Sequence, residues 1–219
     1  MCSSFLENRL NLATQSQDAD TIASLRLQVA TQQREIELLR AELAELIRVD
    51  PLTGVMNRRT LEEMLAAELQ RSHRTGHPFC FAMLSIDHFK AINERFGTPA
   101  GDSVLKTFSG ASIKLLRVLD RFGRLEGDRF GIVLPATWLD SGIIAMNRLS
   151  AAVAACNWEG ITPGMAVTFS AGLTTNAPAD TADRMVQRAE QALLQAKSEG
   201  RNRTVTIEDA LPDMPMLDD

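Results

Sequence analysis

The stretch "RLEGDRFGIVLP", residues 124–135, decides how the chain is built. It reads as one strand, a tight turn and a second strand, with Glu126, Gly127, Asp128 and Arg129 crowded into the bend. Two carboxylates and a guanidinium thus surround the one glycine that would let a ligand approach the backbone. Outward from this hairpin, helical and strand periods alternate. Upstream the patterns predict a helix over 57–73, an apolar strand "FCFAMLSI" at 79–86, a short helix near 88–95 and a longer one over 101–118. Downstream they predict a helix over 140–156, the strand "MAVTFSAGL" at 165–173, a helix over 181–199 and a last short strand near 203–207. Such mixing makes an α/β chain of the α+β kind, a sheet covered by helices.

A different period precedes the domain. Ile22, Leu25, Val29, Ile36, Leu39, Leu43 and Leu46 fall on an alternating three-four spacing, with Gln32 in the one polar slot of the stripe. That is a heptad pattern, and the absence of Gly and Pro predicts one helix over 20–48. It either forms a parallel dimeric coiled coil, with Gln32 helping to fix register, or folds its apolar face onto its own domain. Pro51 then breaks the helix by removing a backbone donor and biasing Asp50 away from helical angles. The expected divisions are an N-terminal segment at 1–19, the heptad helix at 20–48, one globular domain at 49–207 and an acidic, proline-broken tail at 208–219, expected to be mobile.

The totals exclude several classes. A formal net charge of -5 argues against a protein that coats nucleic acid or an anionic membrane. The three cysteines form no C-x-x-C pair, so neither a disulfide framework nor a zinc site is suggested, and the cytosol is the expected compartment. Apolar runs fall short of the roughly 18–20 residues that span a bilayer, so no membrane insertion is expected, and "MCSSFLENRL" has no signal-peptide character.

Four stretches in order carry a family resemblance: "DPLTGVMNRR" at 50–59, "SIDHFKAINERFG" at 85–97 with "AGD" at 100–102, "RLEGDRF" at 124–130, and "AKSEGRNR" at 196–203. Together they resemble the GGDEF family, the diguanylate cyclases that join two GTP molecules into cyclic di-GMP. The resemblance implies a cyclase-like palm with a central, mainly antiparallel sheet wrapped by helices. It also implies attack by a GTP 3′ hydroxyl on a second α-phosphorus, assisted by Mg2+ or Mn2+. In the family the metal's carboxylates come from the first Asp of a D-x-D-x-F-K strand end and the third position of the signature turn. Here the turn position, Asp128, is intact, but the strand position is Ser85, whose neutral hydroxyl is a poor ligand for a hard cation. Asp87, about 6–7 Å further along the strand, either substitutes for it or caps the following short helix.

The turn itself departs from G-G-(D/E)-E-F at its first and fourth positions, Glu126 and Arg129. Glu126 puts negative charge where a triphosphate would lie, and two unit charges 4 Å apart at an effective dielectric near 20 repel by about 4 kcal/mol. Arg129 can pair with Glu126 or Asp128, closing the turn on itself, or stand in for metal charge against a phosphate. Other matching positions survive: Asn93 and Asp102 for guanine, Lys90, Lys197 and Arg201 facing phosphate, and Arg124 and Gly127 at the turn.

A second motif lies upstream. "RVLD" at 117–120 places Arg117 and Asp120 where the family's R-x-x-D inhibitory site binds cyclic di-GMP. A guanidinium fork suits guanine O6 and N7, and a carboxylate accepts from its N–H groups. One site has lost a metal ligand, a glycine and an acid, while the other pair is complete. The reading is a catalytically impaired receptor for cyclic di-GMP that signals to a protein partner as a homodimer through 20–48. The alternatives are a cyclase with residual or conditional activity on GTP, and a nucleotide-independent interaction module. If the heptads form a dimer seam, Leu39→Asp lowers the sedimenting mass from dimer to monomer, because a charge in that seam must be desolvated; analytical ultracentrifugation reads the outcome.

Overall fold

The computed structural model describes residues 25–39 and 47–209. Residues 25–39 are helical throughout (α1), and Leu25, Val29, Gln32, Ile36 and Leu39 of the heptad stripe fall within them. The remaining heptad positions, the segment 1–19 and most of the acidic tail lie outside the described residues. Met1–Ile47 and Arg48–Asp219 form two separate compact units.

Within the second unit the elements run α2 (Arg58–Thr75), β1 (Cys80–Ile86), α3 (Phe89–Phe96), α4 (Thr98–Leu115), β2 (Arg121–Glu126), β3 (Arg129–Leu134), α5 (Leu139–Ala154), β4 (Phe169–Thr175), α6 (Ala182–Ser198) and β5 (Thr204–Thr206). The five strands make one sheet in the order β2-β3-β1-β4-β5, antiparallel except for the β4/β5 pair. Helices cover both faces, which is the mixed architecture expected of the α+β palm.

The two faces follow from the two-residue period of a strand. On β1, Cys80, Ala82, Leu84 and Ile86 join the larger core beneath α4 and α5, while Phe79 just before the strand, with Phe81 and Met83, packs against Leu61, Leu65 and Met185 of α2 and α6. Phe130, which ends the signature turn, is fully buried in a ring cluster with Phe108 at 4.9 Å and Phe122 at 5.4 Å. Burial pushes the Cys80 thiol up to about 12, leaving it a small core residue rather than a reactive one. Among the described residues no helix is long and apolar enough to cross a membrane.

Several element boundaries shift, the largest at β4, which begins at Phe169 where the pattern predicts a strand from 165. Helix α4 starts at Thr98, three residues before its expected start, because Gly97 at φ 85° breaks α3 and Pro99 suits a first helical turn that needs no donor. It stops at Leu115, since Leu116 is extended and "RVLD" turns back on itself through Asp120 N–H to Arg117 C=O at 3.0 Å. At the other end, "DPLTG" closes a tight turn. Asp50 accepts from the Thr53 N–H and hydroxyl at 2.9 and 2.7 Å, and Met56 then runs beside the outer edge of β2, bridging Gly123.

Backbone meets backbone where β4 passes α6. A Cβ added at Gly172 would stand 2.0 Å from Ala189 O and 2.3 Å from Leu193 N, atoms that cannot move without moving the helix. Gly172→Ala is therefore expected to cost about 3 kcal/mol of stability by overpacking, read as a lower urea midpoint at unchanged slope.

Candidate functional site

The candidate site gathers at the end of β1, where three segments meet. Ser85 and Arg129 are register partners across β1 and β3, which brings the turn against the strand end. The Ser85 hydroxyl donates to the Asp128 carboxylate, and the Ile86 N–H donates to the Asp128 main-chain oxygen at 3.2 Å. The two positions assigned to metal binding are thus adjacent, but one offers a proton where the other offers charge.

Asp87 does something that neither sequence reading named. Its carboxylate is buried and accepts from the hydroxyls of Thr168 and Ser170, each at 2.7 Å, and from the Asn202 N–H at 3.0 Å. It does not cap α3, whose N-cap is His88 in the left-handed region with no side-chain bond. The donors lie 81 to 115 residues away, so no local pattern reports them.

A divalent cation here would find one carboxylate, Asp128, already accepting a hydroxyl, and a second, Asp87, with both oxygens taken by neutral donors. Among the described residues no group of three or more His, Cys, Asp or Glu side chains is placed to hold a metal. Mg2+ and Mn2+ are ordinarily held by one or two carboxylates together with waters and substrate phosphates, and here Asp128 is the one acid of the pair with an oxygen left uncommitted, so the protein's share of such a site is at its minimum.

The turn is closed by Arg129, though not chiefly through the partners expected. Its guanidinium pairs with Glu190 of α6 at 2.7 Å and stands 3.6 Å from Glu126; Asp128 is not a partner. Glu190 lies 61 residues away and was missed. Arg124 donates to the Gly127 carbonyl at 2.9 and 2.7 Å and pairs with Asp50 at 3.2 Å, so its donors serve the two turns. Burial pushes the Asp50 carboxyl up, but the Thr53 hydrogen bonds and the Arg124 charge more than offset this and hold it below the usual carboxylate range. Gly127 has φ 51°, with open space around its Cα.

On the opposite face of the sheet, Asn93 of α3 lies against α4. Its Oδ1 is buried with no hydrogen-bond partner among the described residues, and a Cβ on Gly101 would strike it at 1.8 Å. An orphaned acceptor of this kind suits a donor-bearing ligand such as the N1–H and N2–H edge of guanine. Asp102 is half-buried on the next residue of α4. Lys90 is solvated and stands 3.7 Å from Glu94. Lys197 is half-buried near the end of α6, and Arg201 is exposed in a turn where Gly200, Arg201 and Asn202 all have positive φ.

Arg117 and Asp120 open on a cavity of about 260 Å³ between the end of α4 and α5. The Asp120 carboxylate accepts the Arg117 N–H at 2.7 Å, which holds the two in one turn. Burial raises the Asp120 carboxyl above its ordinary value, against the opposing pull of the Arg117 hydrogen bond and the Arg117 and Arg121 charges. Arg148 of α5 lines the same cavity. Sequence reading missed it because no short motif links it to "RVLD".

The fold and this arrangement define a class, a cyclase-like palm with a charged hairpin at its sheet end. Residues 47–203 match the family model for the diguanylate cyclase GGDEF domain, and the chain belongs to that family. It is 44% identical over 154 residues to the diguanylate cyclase DgcP of Pseudomonas aeruginosa, covering 70% of this chain but only 23% of that protein's length. Among solved structures, the coiled coil and GGDEF domain of DgcB from Caulobacter crescentus, in complex with c-di-GMP, superposes with a TM-score of 0.70 at 25% identity, over 84% of this chain and 100% of that one. The diguanylate cyclase SiaD from Pseudomonas aeruginosa, in complex with its activator SiaC, gives 0.70 at 32% identity over 92% and 79%.

Asp87→Ala removes the acceptor for three donors, the Thr168 and Ser170 hydroxyls and the Asn202 N–H. The expected loss is about 3 kcal/mol, with faster hydrogen exchange at Asn202 than in the wild type.

Proposed function

We propose that this chain is a GGDEF-domain signalling protein with impaired cyclase chemistry. It binds cyclic di-GMP at Arg117 and Asp120 and passes the signal to a protein partner, in the cytosol, as a homodimer through residues 20–48. One observation carries this reading. Asp128 faces the Ser85 hydroxyl instead of a second carboxylate, while Arg117, Asp120 and Arg148 border one open cavity. A receptor needs only base-reading groups, whereas phosphoryl transfer needs concentrated charge around a triphosphate. The c-di-GMP in the DgcB complex and the activator bound to SiaD make both partner classes reasonable for a chain of this fold.

A second reading, residual or conditional cyclase activity on GTP, is favoured by the orphaned Asn93 oxygen and by the likeness to DgcP. A nucleotide-independent interaction module would account for the Glu126–Arg129–Glu190 closure and for nothing at Asn93.

Calorimetric titration of one preparation with GTP and with cyclic di-GMP separates them. The receptor reading expects saturable heat with cyclic di-GMP and a loss of about 1–3 kcal/mol in Arg117→Ala; no heat, or unchanged binding by that variant, overturns it. Clear synthesis of cyclic di-GMP from GTP with Mg2+ or Mn2+, abolished in Asp128→Ala, establishes the second reading instead. If the lesions named are the cause, Ser85→Asp with Glu126→Gly and Arg129→Glu restores synthesis.

Acid supplies an independent check. A guanine N–H needs the ionised Asp120 carboxylate, and its raised pKa means protonation begins at a higher pH than for an ordinary aspartate. Affinity for cyclic di-GMP is expected to fall as the solution is acidified, beginning at a higher pH than an ordinary aspartate would require, and Asp120→Asn should be weaker and show no such fall.

A further inference from the structure

Beneath the hairpin tip, between α2, α6 and the sheet, lies a cavity of about 130 Å³ that the nucleotide reading does not use. Asn93 and Asp102 sit on helices of the opposite face. Leu61 and Leu65 of α2, Phe81 and Met83 of β1 and Val186 of α6 make an apolar floor. Arg58, Glu62, Glu126, Arg129 and Glu190 form the rim. Both positions at which the turn departs from its signature therefore stand at the mouth of this cavity.

The rim groups are incompletely matched to one another. Arg129 spends Nη2 on Glu190 and on the Met83 sulfur, while its Nε and Nη1 make no hydrogen bond among the described residues. Nη1 stands 3.6 Å from Glu126, beyond hydrogen-bond reach. Among the described residues Arg58 uses only Nε, on Glu62 at 2.7 Å. Glu126 is the most exposed acid of the rim, with 62% of its side chain open to solvent.

We propose that this cavity binds a small apolar α-amino acid, with its side chain on the floor, its carboxylate on the spare N–H groups of Arg129 and Arg58, and its ammonium on Glu126. Charge decides the class. A simple anion would meet three carboxylates and a simple cation two guanidiniums, whereas a zwitterion pairs with both signs. Size agrees, since an apolar cavity of about 150 Å³ takes a benzene ring, and a leucine or phenylalanine side chain is of that order. This assignment is independent of the nucleotide reading and survives its failure.

The test is calorimetry on the full chain with L-leucine and L-phenylalanine, beside isovaleric acid and isoamylamine, which each carry only one of the two charges. At least one amino acid is expected to give saturable heat, with both single-charge analogues weaker by about tenfold or more. Glu126→Gln should weaken amino-acid binding by about tenfold, and Val186→Phe, which fills the floor, should abolish it. Circular dichroism checks that both variants fold; should Val186→Phe not fold, the exposed Glu126→Gln still decides the matter. The proposal is overturned by no saturable heat from either amino acid up to about 10 mM, by a single-charge analogue binding as tightly, or by a folded variant binding as wild type.

Discussion

The sheet end is organised by one buried carboxylate. Asp87 sits where β1 leaves the sheet, and an unpaired charge at that depth would cost several kcal/mol. It is tolerated because Thr168 and Ser170 approach along β4 and the Asn202 main chain approaches from the turn after α6. The Asn202 bond alone ties the 200–202 turn, and with it the backbone of Arg201, to the end of β1. What local sequence presents as a spare ligand or a helix cap is the fastening that joins the end of β1 to β4 and to the turn after α6.

Around that fixed point, the signature turn has exchanged one kind of electrostatics for another. Arg129 draws Glu190 and Glu126 to itself, Arg124 ties the Gly127 carbonyl to Asp50, and Ser85 satisfies Asp128 from within. Each acid of the bend has a partner belonging to the chain. Asp128's partner is a neutral hydroxyl and Glu126 stands 3.6 Å from its guanidinium, so the bend is held together by its own side chains while keeping an excess of negative charge. The opposite face is unlike it, since Asn93 there keeps a buried acceptor unmatched.

Much of this was legible in the sequence where the cause is local. Period-two and period-3.6 patterns located every strand and helix of the domain to within a few residues. Glycine and proline rules, applied at Gly97 and Pro99, would have placed the start of α4, but the apolar period alone began it late. The site was legible in its residue types and not in its partnerships. Glu190 reaches Arg129 from 61 positions away, and Arg148 reaches the Arg117 cavity from another helix. No periodicity reports a meeting that depends on how a helix lies across a sheet.

The borders of the sheet have a consequence for how such a protein associates. On one side Met56 runs beside β2 and bridges Gly123, and on the other β5 is only three residues long. Little unpaired main chain is left for a neighbouring molecule to extend by strand addition, the usual route to uncontrolled aggregation. Encounters between copies therefore fall to side chains on helices and loops, surfaces whose chemistry evolution can tune one residue at a time without disturbing the ladder beneath.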